Sequence, residues 1–309
     1  MKRESLSTIV LDTTVQPKAI AHPTDSRLLN RAREQLVNAA QDCGITLRQS
    51  YVRVGRAAEC QAGRYAHARQ YRRMRREIRR LRTRLGREIR DVERKAPGET
   101  SQALRDRLAL AKRLHAQQRD SKNKLYALHA PEVECIAKGK ARTLYEFGVK
   151  VSVAVTAREG IVVGMRSMPG NPYDGHTVDS AFEQVQVLTD ATPAIVLADR
   201  GYKGAMPACG ARLILSHTRK LPAKLKRLLK RRQVIEPMIE HMKTDGLLAR
   251  NWLKGEIGDA LHAVLCGAGH NLRMILAHLR VPFAAFIRWL IGSTVIVSAA
   301  RWHLAAVPN

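Results

Sequence analysis

STIVLDTTV, running from Ser7 to Val15, decides the fold. An apolar, β-branched run closes on Asp12 and two threonines, the pattern of a short buried strand ending in a polar side chain. AIVLADRGYKG, from Ala194 to Gly204, repeats it, with a second buried strand ending at Asp199. Both aspartates are expected at or near the C-terminal end of a strand, where side chains of a mixed α/β sheet converge on a ligand. The plainer alternative is that each aspartate caps a turn. Two such strand ends, with a glutamate further along the chain, weigh against it.

That glutamate lies in RRQVIEPMIEHMKTD, Arg231 to Asp245. At 100° per residue Arg232, Glu236 and Lys243 fall at about 0°, 40° and 20° on a helical wheel, so one acid and two cations share a face. Such a face serves incoming phosphates, or else it is an ordinary solvated face with i,i+4 pairing. Pro237 disfavours an α conformation at Glu236 and removes a donor, so the helix should kink or begin there and loosen Arg232 from the shared face. His241 falls on the opposite face and reads as structural. Asp12, Asp199 and Glu236 together can hold two Mg²⁺ or Mn²⁺ ions about 3.5–4 Å apart. Hard cations want such oxygen ligands.

The remaining chain divides into stretches of different texture. Residues 1–25 hold the first strand, and 26–128 read as a helical, very basic insertion. Between Arg69 and Lys95 there are thirteen Lys or Arg against four acids, while Met74, Ile78, Leu81, Leu85, Ile89 and Val92 recur at steps of three and four. This is one long amphipathic helix, stopped by Pro97-Gly98. A second helix from Glu99 carries Leu104, Leu108, Ala111 and Leu114, so the two are expected to close as an antiparallel hairpin with arginines outside. Residues 129–280 return to the sheet, with a strand hairpin formed by YEFGVKVSVAV from Tyr145 and IVVGMRSM from Ile161. GNPYDGHT from Gly170 is a turn-rich loop in which Asp174 or Thr177 could cap the next helix. Residues 281–309 read as a C-terminal apolar helix or tail, a helix packed on the body being favoured over a membrane span because of Arg288 and the polar Ser293 and Thr294.

The chain has 309 residues and a net charge of +27, from 54 Lys plus Arg against 27 Asp plus Glu. A charge this large repels itself unless a polyanion offsets it, which makes nucleic acid the leading partner. Five scattered cysteines contain no C-x-x-C pair, which argues against a disulfide framework or a zinc site and for a reducing cytoplasm.

These residues resemble the DDE transposases of bacterial insertion sequences, specifically the insertion-sequence-five family. LDTTVQPKAIAHPTDSRLL around Asp12 is similar to that family's first-aspartate segment, and GNPYDGHT with LADRGYKG to its second, with Asp199 as the aspartate. Arg232, Glu236 and Lys243 match the R-(3)-E-(6)-K spacing of its C-terminal signature, and GDALHAVLCGAGHNLRMIL from Gly258 matches the helix that follows. Leu229 stands where some related signatures have tyrosine. The resemblance implies an RNase H-like mixed sheet with flanking helices, Asp12 and Asp199 on adjacent strands and Glu236 on a later helix. It implies metal-dependent cleavage of DNA followed by strand transfer to a target duplex, in the bacterial cytoplasm at the nucleoid. Arg232 and Lys243 would then hold the DNA backbone. Family members carry a helical domain ahead of the first aspartate, whereas eleven residues precede Asp12 here. Base-reading contacts are therefore expected from a separate N-terminal transposase polypeptide, with self-association on DNA.

Other residues invite lesser roles. Asp174 and His176 could tune a metal or a phosphate. Arg72, Arg76 and Arg79 on the basic helix are candidates for phosphate contacts, as are Lys138 and Lys140. Tyr202 and Lys203 could position a DNA strand. Two competing functions keep part of this reading: a structure-specific nuclease that cuts without joining, and a non-catalytic DNA-binding remnant of a transposase.

Overall fold

The computed structural model describes residues 3–304 except 97, 99, 138–143, 219 and 220; the side chains of Arg3, 281, 284, 285 and everything from 289 onward also lie outside the description. Lys138 and Lys140 therefore fall outside the described residues. The architecture is α/β, a curled mixed sheet flanked by helices. β1 (Thr8–Pro17) lies at its centre. It pairs antiparallel with β3 (Tyr145–Thr156) along its length, from Ile9↔Thr156 to Pro17↔Gly148, and parallel with β5 (Ile195–Ala198) over Thr8 to Val10. β6 (Arg212–Leu215) continues the parallel side beyond β5. β4 (Val162–Met168) and the short β2 (Glu134–Ala137) lie one after the other along the outer edge of β3. A Cβ at Gly148 would stand 2.0 Å from the Gln16 carbonyl oxygen, so only glycine lets β3 cross β1 this closely.

Alternation along the strands fills both faces. Val10, Val151, Val153 and Leu197 pack on one side against Ile235, Met238 and Met242 of α7 (Ile235–Thr244) and Ala263 and Cys266 of α8 (Gly255–Leu304). Ile9, Leu11, Ala154 and Val196 pack on the other against Phe182 and Val185 of α5 (Val178–Thr189). The expected hairpin of Tyr145 and Ile161 strands is present as β3 and β4.

Between β1 and β2 the chain builds four helices: α1 (Asp25–Asp42), α2 (Val52–His67), α3 (Tyr71–Lys95) and α4 (Gln102–Ala116). α3 and α4 touch as the expected pair, with Arg82 of α3 donating to the His115 and Gln117 carbonyls at the end of α4 and Lys112 pairing with Glu93. The expectation of a two-helix unit is corrected: α3 packs chiefly on α1 and α2, and α4 on α1, because α1 has its own stripe of Leu28, Leu29, Ala32, Leu36 and Ala40 to bury. Arg33 of α1 is 1% exposed, with Nη1 donating to the Ser50 carbonyl.

Glu88, 1% exposed inside this bundle, has both oxygens unpartnered among the described residues. Burial pushes its carboxyl up to about 8 from an ordinary 4.5, against the pull of Arg33. Folding thus favours the protonated acid. The associated stability is fully present below pH 4.5 and is lost as the pH rises through 8, at up to about 1.4 kcal/mol per pH unit. Amide exchange of α3 should accelerate from about pH 5 to about pH 8 beyond the intrinsic base-catalysed rise and follow that rise alone above it, and Glu88→Gln should remove the excess. An excess unchanged in the variant would assign it to another group.

For residues 281–309 the expected packing is corrected only where side chains are described: Pro282, Phe283, Ile287 and Arg288 of α8 are exposed. Among the described residues no helix is long and apolar enough to cross a membrane.

Candidate active site

β5 stops at Ala198, and Asp199 caps the 3-10 turn Arg200–Tyr202, its Oδ1 accepting the Gly201 N–H at 2.8 Å. Asp12 departs from expectation: it lies in mid-strand, because β1 continues to Pro17 against β3. Only the parallel ladder to β5 ends early, at Val10↔Leu197, and the same register carried on brings Asp12 level with Asp199. Asp12 shares a face of β1 with Val10, the face covered by α7. Glu236 enters there from the first turn of α7.

Arg232 joins them. Its Nη2 lies 3.7 Å from Asp12 Oδ2 and 3.6 Å from Glu236 Oε1, while its Nε is buried without a hydrogen-bond partner among the described residues. Pro237 does not loosen Arg232, contrary to expectation. α7 begins at Ile235, so Pro237 stands in the first turn, where the missing donor costs nothing, and the 3-10 turn Arg231–Val234 keeps Arg232 beside the acids. Burial pushes the Asp12 carboxyl up to about 6. The Thr13 N–H and Arg232 pull it down, while Asp199 and Glu236 push it further up.

Asp174 belongs to this cluster more fully than a helix cap would. Its Oδ1 accepts from Thr13 Oγ1 and from Lys150 Nζ, both at 3.0 Å, and Lys150 also donates to the Pro172 carbonyl. A Cβ on Gly201 would stand 2.8 Å from Asp174 Oδ2 and 2.9 Å from Asp199 Oδ1, so two carboxylates close on one point above that glycine. Gly201→Ala should therefore push both acids aside while leaving thermal unfolding little changed, and, if the site cleaves DNA, cut that cleavage by at least tenfold. Cleavage at the parent rate in that variant would remove Asp174 and Asp199 from a shared site. Thr177 does not cap α5 with its side chain; its hydroxyl donates to the Asp174 carbonyl.

Several expected residues lie elsewhere. Tyr202 is fully buried beneath the acids, and burial, then the fields of Asp12 and Asp174, hold its hydroxyl well above the ordinary range. It cannot stack on a DNA strand, because the apolar run that forms β5 carries it inward. Lys203 and His176 are exposed, His176 standing edge-on to Tyr173. Lys243 pairs at 3.8 Å with Glu146 of β3, so the shared helix face is split between two acids, one at Asp12 and one at Glu146. His241 is exposed and pairs within its helix with Asp245. Lys150 and Thr13 were missed; a lysine inside the apolar run VKVSVAV was the available signal.

The donor set suits a hard cation. It offers carboxylate oxygens only, and at Asp12 burial, followed by the charges of Asp199 and Glu236, outweighs the pull of the Thr13 N–H and Arg232. Asp12 and Asp199, with Glu236, are the residues that could hold such an ion. Yet among the described residues no three His, Cys, Asp or Glu side chains stand as a ready ligand set. Arg232 fills the space between Asp12 and Glu236, and Glu236 keeps 67% of its side chain in solvent.

A second surface lies on α3. Arg72, Arg76 and Arg79 are exposed, and a groove of about 540 Å³ is lined by Arg76, Arg79, Arg80, Thr83, Arg84 and Arg87. It offers phosphates several cations without an aromatic ring for bases.

No protein-family model matches the chain, and no solved structure matches it. Over 68 residues it is 60% identical to the uncharacterized protein ORF8 in the nfe locus of Rhizobium meliloti, a match covering 22% of this chain and 33% of that protein. The chain thus matches about a third of that relative's length.

Proposed function

We propose that the chain is the catalytic part of a DDE-type transposase of the insertion-sequence-five kind, with an RNase H-like fold. The observation that carries this reading is that Asp12 of β1 and Glu236 of α7 flank one guanidinium, with Asp199 at the end of β5 near enough for its charge to push the Asp12 carboxyl up. The pairing of β1 between antiparallel β3 and parallel β5 supports the fold, since the first two acids then stand on adjacent strands and the third on a later helix.

In this reading Mg²⁺ or Mn²⁺, held by Asp12, Asp199 and Glu236, supplies activation of the attacking oxygen and stabilisation of the leaving one. Arg232 and Lys243 bind the scissile strand's phosphates, as point charges that position without reading sequence. Lys150 and Thr13 hold Asp174 against the Gly201 turn and so fix the Asp199 side of the site. The arginines of α3 hold the flanking duplex. Neutralising Arg72, Arg76 and Arg79 together should flatten the slope of log K against log salt by about 2 to 3, with similar losses on every sequence. An unchanged slope would turn that helix toward a protein partner.

The test is a strand-transfer assay with Mg²⁺, a labelled duplex carrying element ends and a plasmid target, with and without an added N-terminal transposase polypeptide. Joined product supports the transposase reading. Nicks without joining favour a structure-specific nuclease, and retention of uncut DNA favours a non-catalytic binder.

A further inference from the structure

α8 presents an apolar stripe that is exposed among the described residues. Leu261, Leu265, Ala268, Leu272, Ile275 and Leu279 are all exposed and recur at steps of four, three, four, three and four. Alternation of this kind is the seam of paired helices, narrower than the face a helix lays on a bilayer. Ile257, Val264, Leu276 and Phe283 fall on the same side at 100° per residue, whereas the residues that dock α8 on the sheet, such as Ala263, Cys266 and His270, fall opposite. Arg273 and Arg280 also lie away from the stripe.

We propose that this stripe is the self-association surface of the protein, and that its occupant is the same stripe of a second copy, running antiparallel. This inference does not depend on the transposase reading. Leu261, Leu265, Leu272, Ile275 and Leu279 each keep more than half of their surface in solvent, at 55%, 63%, 60%, 54% and 56%, so the seam is a continuous exposed apolar patch of the kind that marks an interaction site. Symmetry fixes the direction. Turned end for end about residue 270, the seam matches itself, with Leu261 against Leu279, Leu265 against Ile275 and the small Ala268 against Leu272. The half of α8 from Leu272 outward leaves the body, so it is free to cover the docked half of the other copy, and each copy receives what it gives.

Sedimentation velocity of the full chain in 0.5 M salt without DNA tests this. A two-copy species is expected, and Leu265→Glu with Leu272→Glu should weaken it on the order of 100-fold or more with unchanged helicity, since both side chains are exposed in the single copy. For direction, Leu265→Cys with Ile275→Cys, in a background with the exposed Cys60 and Cys209 replaced by serine, should form an intermolecular disulfide that neither single cysteine forms. A single-copy wild type at tens of micromolar, or a two-copy species indifferent to the glutamates, overturns the proposal. Crosslinking by Leu265→Cys alone overturns the antiparallel arrangement. A single-copy chain that sediments with phosphatidylglycerol vesicles gives the stripe to a membrane surface instead.

Discussion

Asp199→Asn should abolish Mg²⁺-dependent DNA cleavage, lowering the rate at least 10³-fold, while affinity for duplex DNA changes less than about threefold. The separation follows from where the charges lie. In the proposed function cleavage would depend on the oxygens of Asp12, Asp199 and Glu236 and affinity on cations, and the exposed arginines of α3 lie apart from those acids. Asp12→Asn should behave alike. Asp174→Asn should cost less, because its Oδ1 is held by Thr13 and Lys150 and the asparagine carbonyl can keep those bonds. Cleavage by Asp199→Asn at the parent rate would remove the strand-end acid from the chemistry.

Lys18→Met should cost about 3–5 kcal/mol of stability, the largest single loss expected outside the apolar core. Lys18 follows β1, and its Nζ lies 2.7 Å from both Glu132 and Asp259, all three side chains being almost wholly buried. Asn251 adds an amide to the same Asp259 oxygen, so four segments are tied at one point. Removing the cation leaves two carboxylates in a dry interior, where burial already pushes Asp259 up. Lys18→Met combined with Glu132→Gln and Asp259→Asn should recover most of the loss, because an uncharged cluster has no ion to desolvate. Urea unfolding of the three proteins checks this, and equal stability of wild type and Lys18→Met would show the ion triad to be dispensable.

The sheet was legible because its strands are apolar runs closed by polar or turn residues. Asp199 was correctly read at a strand end for that reason. Asp12 was not, because its strand is extended by pairing with β3, more than a hundred residues away, and no local pattern records a partner at that distance. The same blindness hid Lys150, which looks locally like a solvated charge, and left Asp174 undecided between a helix cap and a site residue; Asp174 meets both Lys150 and Thr13 only when the loop after β4 folds back toward β1 and the Gly201 turn. The α3 periodicity was plain, yet the hairpin inferred from it ignored α1, whose apolar stripe claims more of α3 than α4 does. The end of the chain misled because apolar residues suggest packing, whereas the described part of α8 beyond Leu272 leaves the body exposed.

In the proposed function the acids around Asp12 bind a divalent metal used on DNA, displacing the Arg232 guanidinium that stands between Asp12 and Glu236. Mn²⁺ titration of the full chain with a bound duplex, read by electron paramagnetic resonance, tests this. Saturable Mn²⁺ binding is expected, which Asp12→Asn and Asp199→Asn each remove while the duplex stays bound. Equal Mn²⁺ binding by wild type and both variants would contradict it.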